Sequence, residues 1–306
     1  MKHRLHLSYL IIAVFCLLLW GCSGNSTEKK NSGPPRDSTP KVLTPSADGV
    51  SVYQNDYASI DASNTSQGYV MVNYKGSNAK VKLQITGPDQ NCYTYLISDR
   101  QTYDTFPLSA GNGTYTIQVL ENVEGNTYTI SLTQAIDVTI KDKFLPFLYP
   151  NQYVNFNADS KAVAKGSELA KDTYSDLDVV QNIYNYVIKN ISYDTKKAQN
   201  VSYGYVPDVD DTLTSGKGIC FDYAALMTSM LRSQNIPTKL EVGYSGDAYH
   251  AWISTYIDDK GWVDDIIKFD GKTWQIMDPT LAATNDSSSV KKYVGDGSNY
   301  VVKYTY

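Results

Sequence analysis

"SGKGICFDYAALMTSML" (residues 215–231) places two glycines, Gly216 and Gly218, before a cysteine and then sets apolar side chains at helical spacing. Phe221, Ala224, Ala225, Thr228 and Leu231 recur at intervals of three and four, the period of a helix face packed into a core. Pro237 forbids its continuation, and "TKLEVGY" (238–244) then alternates as a strand does. Cys220 therefore stands in the first turn of a core helix that leads into a strand. Two readings of it compete. Cysteine is commonly a small buried residue. Yet the unpaired N–H groups and the dipole of a first helical turn favour a negative sulfur, the reactive form of a thiol.

An attacking thiol needs a base, so the histidines decide between these readings. There are three, His3, His6 and His250. The first two lie in a segment that reads as an export signal: Lys2 and Arg4, then the apolar run "LSYLIIAVFCLLLWG" (7–21). The run is too short to span a bilayer comfortably as a helix. Residues 1–21 are accordingly expected to be removed. "LLWGC" (18–22) resembles a bacterial lipobox, with Leu19 and Gly21 in pattern and Trp20 bulkier than usual. Cys22 would then carry the lipid that anchors the exported protein to the bacterial membrane, at the cell surface. Residues 22–45 follow as a polar tether. An ordinary signal with Cys22 incidental is the alternative.

With the signal gone, His250 is the one imidazole left. It lies in "GDAYHAWISTYI" (246–257), a predicted strand in which His250 and Trp252 face one way. One histidine and two thiols make no zinc set, so no metal is expected. A third group would hold the imidazole's other nitrogen. "KTWQIMDPT" (272–280) supplies a strand that ends in Asp278, and in an antiparallel neighbour of the His250 strand its carboxylate would reach the ring. Asp264, Asp265 and Asp270 are rivals; their segment, "WVDDIIKFDGK" (262–272), reads as a connection into the next strand. Taken alone, an aspartate before proline is a turn residue.

Charge excludes one class of partner. The chain has 27 Lys+Arg against 32 Asp+Glu, and loss of Lys2 and Arg4 leaves a net of about −7. Nucleic acid is not expected, since phosphate binding needs a cationic face. Cys16 leaves with the signal and Cys22 would be acylated. Cys92 and Cys220 remain; they could form one bridge but no disulfide framework.

Two regions have different periods. Over 46–141, "YVMVNY", "KVKLQITG", "YTYLIS", "TYTIQVLEN" and "TYTISLTQ" alternate apolar with polar residues between Gly, Asn, Asp and Pro. This predicts an all-β N-terminal domain, an antiparallel sandwich. Its tyrosines would offer flat faces to a glycan or peptide, or simply reflect the strand preference of Tyr. Cys92 opens one of these strands with no histidine in the domain, and reads as a buried or incidental thiol. From about 155 to 306 the pattern is α+β. "DSKAVAKGSELAKD" (159–172) reads as a further helix weakened by Gly166. "YSDLDVVQNIYNYVIKNISYD" (174–194) is an amphipathic one, with Ser175 and Asp178 as a capping pair. Asp208, Asp210 and Asp211 lack the glycine and glutamate of a calcium loop and suit capping or solvation.

A helix-opening cysteine, a strand "HAWI" (250–253) and a strand "WQIMDPT" (274–280), in that order, resemble the transglutaminase-like superfamily. The resemblance covers roughly Tyr174 to Thr280. It implies a papain-like fold and a Cys–His–Asp triad: Cys220 as nucleophile, His250 as general base and acid, and Asp278 as the orienting carboxylate. No cofactor is implied. The reaction would be attack on a peptide or amide carbonyl through a thioester at Cys220, with a protein or peptide as substrate. A cysteine peptidase or amidase is the first expectation, a protein-glutamine transglutaminase the second. A surface binding protein that keeps the fold without catalysis is the rival from another class. The family adds a side-chain donor to the oxyanion site from upstream, for which "VSYGYVPDVDDTL" (201–213) offers Tyr203 and Tyr205.

Overall fold

Alternation of buried and half-buried side chains shapes the N-terminal region. In the computed structural model the described residues are 33–97, 102–258, 260–263, 267–269, 274–276, 280 and 300–306. Among the described residues eight strands occupy the first part: β1 (Val52–Gln54), β2 (Ala58–Asp61), β3 (Tyr69–Tyr74), β4 (Val81–Thr86), β5 (Cys92–Leu96), β6 (Asp104–Pro107), β7 (Gly113–Glu124) and β8 (Thr127–Val138). They form two antiparallel sheets, ordered β1-β2-β3-β6 and β5-β4-β7-β8. Val81, Leu83 and Ile85 of β4 and Tyr115, Ile117 and Val119 of β7 point inward while their neighbours are half-exposed. Gly125, with φ of 53°, makes the turn between β7 and β8. Cys92 is exposed, not buried, and both it and Cys220 are free thiols.

Helices enter after residue 160. α1 (Lys161–Ala170) and α2 (Asp176–Asn190) precede β9 (Ser192–Tyr193), α3 (Thr195–Asn200), α4 (Val209–Ser215), β10 (Lys217–Gly218) and α5 (Cys220–Ser233). The capping pair is present: Asp178 N–H donates to Ser175 Oγ, and the Ser175 N–H returns to the Asp178 carboxylate. The acidic trio caps too. Asp208 accepts from the N–H groups of Asp210 and Asp211, and Asp210 accepts from those of Lys161 and Ala162 at the start of α1. Gly166 has a packing reason. A Cβ there would come within 3.0 Å of the Met230 carbonyl oxygen, so α1 and α5 cross at a distance that suits glycine.

α5 is the centre of this layer. The spacing predicts one buried face, but every residue from Asp222 to Ser233 is buried. Such a helix is enclosed on all sides. It packs on β11 (Thr238–Ser245) and β12 (Ala248–Ile257), in an antiparallel sheet ordered β13-β12-β11-β16, where β13 is Gly261–Val263 and β16 is Tyr300–Thr305. β14 (Ile267–Phe269) pairs with β15 (Trp274–Ile276). The stretch read as a connection thus holds β13 and β14.

Residues Pro35–Tyr306 make one compact unit. Residues 36–41, within the expected tether of 22–45, lie against the helices instead. Arg36 pairs with Asp176 at 2.6 Å and donates to the Gln234 carbonyl, and Lys41 N–H donates to the Ser233 carbonyl at 2.7 Å. One buried cluster runs from Ala58 of β2 through Ile183 of α2 and Leu226 of α5 to Tyr306. Among the described residues no helix is long and apolar enough to cross a membrane.

Arg232, 1 % exposed, ties these parts together. Its guanidinium donates to the carbonyls of Thr238 (2.9 Å), Tyr149 (2.6 Å) and Tyr306 (2.8 Å). Burial lowers its pKa to about 9, still above neutrality, so the charge is kept. Arg232→Met would preserve volume but strip the charged donor from three main-chain oxygens, of which that of Tyr306 keeps the Leu240 N–H. The expected loss is about 3 kcal/mol of unfolding free energy, read as a lower urea midpoint with unchanged slope.

Candidate active site

The turn before Cys220 is fixed by two glycines for different reasons. Gly216 ends α4 in the left-handed region, φ 63°, and its N–H donates to the Thr212 carbonyl. Gly218 pairs with Tyr193 in the two-residue β9–β10 ladder, and a Cβ on it would sit 2.7 Å from Asp222 Cβ. Ile219 is extended at the helix cap, and its N–H donates to Asp222 Oδ2 at 2.8 Å. Cys220 follows as the first residue of α5, half-buried. The N–H groups of that turn have no partner four residues back within the helix.

His250 reaches the same place from β12. It faces Gly243 of β11, where a side chain would collide with the Val301 carbonyl of β16. The His250 ring lies 6.3 Å from that of Trp252 at 28°, and Trp252, itself buried, meets Tyr300 edge-on at 5.1 Å. Cys220 and His250 line one cavity of about 450 Å³. That volume is within the usual range of small-ligand sites. Tyr249 lines it as well; burial first, then Tyr304, Tyr244 and the Cys220 sulfur, raise its pKa.

Beneath the helix start lies a cluster that sequence reasoning missed. Asp222, wholly buried, pairs with Lys197 of α3 at 2.7 Å through Oδ2. The Tyr205 hydroxyl donates to Asp222 Oδ1 and accepts from Lys197 Nζ, both at 2.5 Å. Burial and then the bond to Asp222 raise the Tyr205 pKa, so its single proton is committed to that carboxylate. Tyr203, the other expected oxyanion donor, is 74 % exposed at the cavity mouth. Asp222 had a legible signal, an acid at the third helical position, where half of a capping box stands.

Asp278, expected as the orienting carboxylate, lies outside the described residues, as do its rivals Asp264, Asp265 and Asp270 and the lipidation candidate Cys22. β15, the strand before Asp278, pairs with β14; among the described residues β12 is flanked by β11 and β13.

Residues 162–264, which hold this cavity's cysteine and histidine, match the family model of the transglutaminase-like superfamily. This stretch is a transglutaminase-like domain. Members of that superfamily are generally enzymes, cysteine proteases or acyltransferases. Among curated proteins, UPF0252 protein MJ1282 of Methanocaldococcus jannaschii is 31 % identical over 98 residues, 28 % of this chain. The match spans only 28 % of that relative's own length. Among solved structures, a candidate cysteine protease from Cytophaga hutchinsonii aligns at 16 % identity and a TM-score of 0.36, covering 76 % of this chain and 69 % of its own. The periplasmic domain of TgpA from Pseudomonas aeruginosa aligns at 14 % identity and a TM-score of 0.36, covering 87 % and 88 %.

The transglutaminase-like domain's buried ion pair is open to test. Lys197→Met leaves the Asp222 carboxylate buried without its cation. Because 27 % of the Lys197 side chain is exposed, the expected cost is about 2 kcal/mol, below that of a fully buried pair. Adding Asp222→Asn should recover part of it, as read by chemical denaturation of the single and double variants.

Proposed function

We propose that this chain is an exported thiol enzyme that opens peptide or amide bonds through a thioester on Cys220. The observation that carries the reading is the shared cavity: a cysteine at a helix start and the imidazole of His250 line one cleft. In this reading the Cys220 sulfur adds to the substrate carbonyl carbon while His250 takes the thiol proton. The departing amine receives that proton as the C–N bond breaks, leaving the acyl group on sulfur. Water, deprotonated by His250, then releases the acid and regenerates the thiol. The Cys220 N–H is the natural first donor to the developing oxyanion. Asp278 is proposed to orient the imidazole. Hydrolysis is favoured over amine transfer as the fate of the thioester.

The remaining parts of the reading are organisational. Residues 1–21 act as the export signal and Cys22 carries the lipid, which places the enzyme at the membrane surface with protein or peptide substrates. Residues 46–141 serve as an accessory β-sandwich and 155–306 as the catalytic domain.

Iodoacetamide should label Cys220 much faster than the exposed Cys92, and His250→Ala should abolish the difference. Equal rates at the two thiols would leave a binding protein as the better account. Peptide-library products analysed with and without a primary amine separate hydrolysis from transfer. Asp278→Asn is expected to lower turnover by a factor on the order of 10³–10⁴ while the fold persists; full activity would move the orienting role to another group. Cys22→Ser should release the protein from the membrane fraction, and retention with unchanged mobility would defeat the anchor.

A further inference from the structure

The cavity beside Cys220 is not built by the transglutaminase-like domain alone. Strand β5 alternates strictly: Tyr93 and Tyr95 turn into the core, while Thr94 and Leu96 are half-exposed on the opposite face. Thr94 and Leu96 line the same cavity as Cys220 and His250. β5 is the edge of its sheet, paired on one side with β4. The loop that carries Tyr203 and Tyr205 is seated on it. Gly204, at φ 80°, lies so close that a Cβ would overlap Leu96 Cδ1. Lys82, the cross-strand partner of Leu96, lies 4.1 Å above the Tyr128 ring and 5.7 Å from that of Tyr203.

Tyr153, Tyr249, Tyr304 and Tyr306 line the cavity as well. Burial is the first cause that raises the pKa values of Tyr153, Tyr249 and Tyr306, so these phenols stay neutral. Tyr153 and Tyr306 pack edge-on at 4.8 Å, which gives the wall an ordered aromatic surface. The Lys197–Asp222 pair behind the helix start cancels its own charge. A charged substrate group entering here would shed water against apolar and aromatic walls, a cost that an apolar group escapes.

We propose that β5 of the N-terminal region is a specificity wall, with Leu96 and Thr94 selecting an uncharged, apolar or aromatic group next to the bond opened at Cys220. The proposal rests on the reading of Cys220 as the nucleophile, and it gives the β-region a part in recognition beyond that of a spacer. It names the substrate class: a peptide or amide whose acyl portion carries a neutral, bulky side chain. Removing residues 46–141 would then open the cavity, with loss of selectivity even for small substrates.

Alkylation of the full chain tests this without knowing the natural substrate. In each reaction the Cys220 sulfur displaces iodide from the reagent's methylene, one C–S bond forms, and the thiol proton passes to the imidazole or to buffer. Iodoacetamide, N-benzyl iodoacetamide and iodoacetate are compared, with labelling of Cys220 and Cys92 followed separately by mass spectrometry. The expected wild-type result is a preference at Cys220 of about tenfold for the benzyl reagent over iodoacetamide, absent at Cys92, with iodoacetate slowest. Leu96→Glu should bring the benzyl-to-iodoacetamide ratio at Cys220 to about unity. Thr94→Glu, at a half-exposed position whose hydroxyl accepts a 3.3 Å bond from Gln84, should do the same and covers the event that the first variant fails to fold. A preference that survives in both variants, with native circular dichroism, overturns the wall and leaves the nucleophile standing. Equal, His250-independent labelling of Cys220 and Cys92 by iodoacetamide would instead remove the catalytic reading beneath it.

Discussion

A buried guanidinium bonded to three main-chain oxygens holds the helical and sheet layers in register. Arg232, near the end of α5, spends its donors on three main-chain carbonyls from three separate pieces of chain. Thr238 starts the strand that pairs with β12, Tyr149 belongs to the connection from the β-region, and Tyr306 follows β16. A buried charge is tolerated only when its hydrogen-bonding capacity is met, so the three segments must arrive together. Because α5 is rigid and begins at Cys220, the contacts at its far end also bear on where the thiol stands relative to His250.

Tyrosine does much of the joining between the regions. Tyr93 and Tyr95 of β5 meet Tyr306 at 5.7 and 5.8 Å, and Tyr95 also stacks on Tyr153 at 5.5 Å. These rings bury large apolar area, and the Tyr93 hydroxyl also accepts the Thr305 N–H, which suits a seam that is partly core and partly cleft wall. The same seam explains why one buried cluster runs from the N-terminal strands into α5 and the last strand. Tyrosines that composition alone would assign to strand preference here form a surface shared by two regions.

The start of α5 combines opposed demands. A thiol there gains from a positive helix end, whereas Asp222, two residues later, brings a negative charge into the same turn. The cluster resolves this by giving the carboxylate three partners of its own: the Ile219 N–H, the Lys197 ammonium and the Tyr205 hydroxyl. With its oxygens so occupied, the acid acts as a local brace for the loop over the cavity. That loop is in turn fitted to β5 through Gly204, so the cavity's roof and its side wall are mechanically connected.

Much of this was legible in the chain itself. Period-two runs such as "KVKLQITG" announced strands because side chains alternate across a pleat, and Ser175 with Asp178 announced a helix start because the unpaired N–H groups there need acceptors. Cys220 and His250 could be singled out by counting, since reading residues 1–21 as an export signal leaves one imidazole. Their convergence on one cavity could not, because 29 intervening positions allow many arrangements and only packing of α5 against β12 selects one. Nor could the roles of Lys197, Thr94 and Leu96: a salt bridge to a buried acid and a wall from a distant strand leave no local pattern. Local periodicity follows from each segment's own geometry, whereas the cleft exists only where separate segments bury one another.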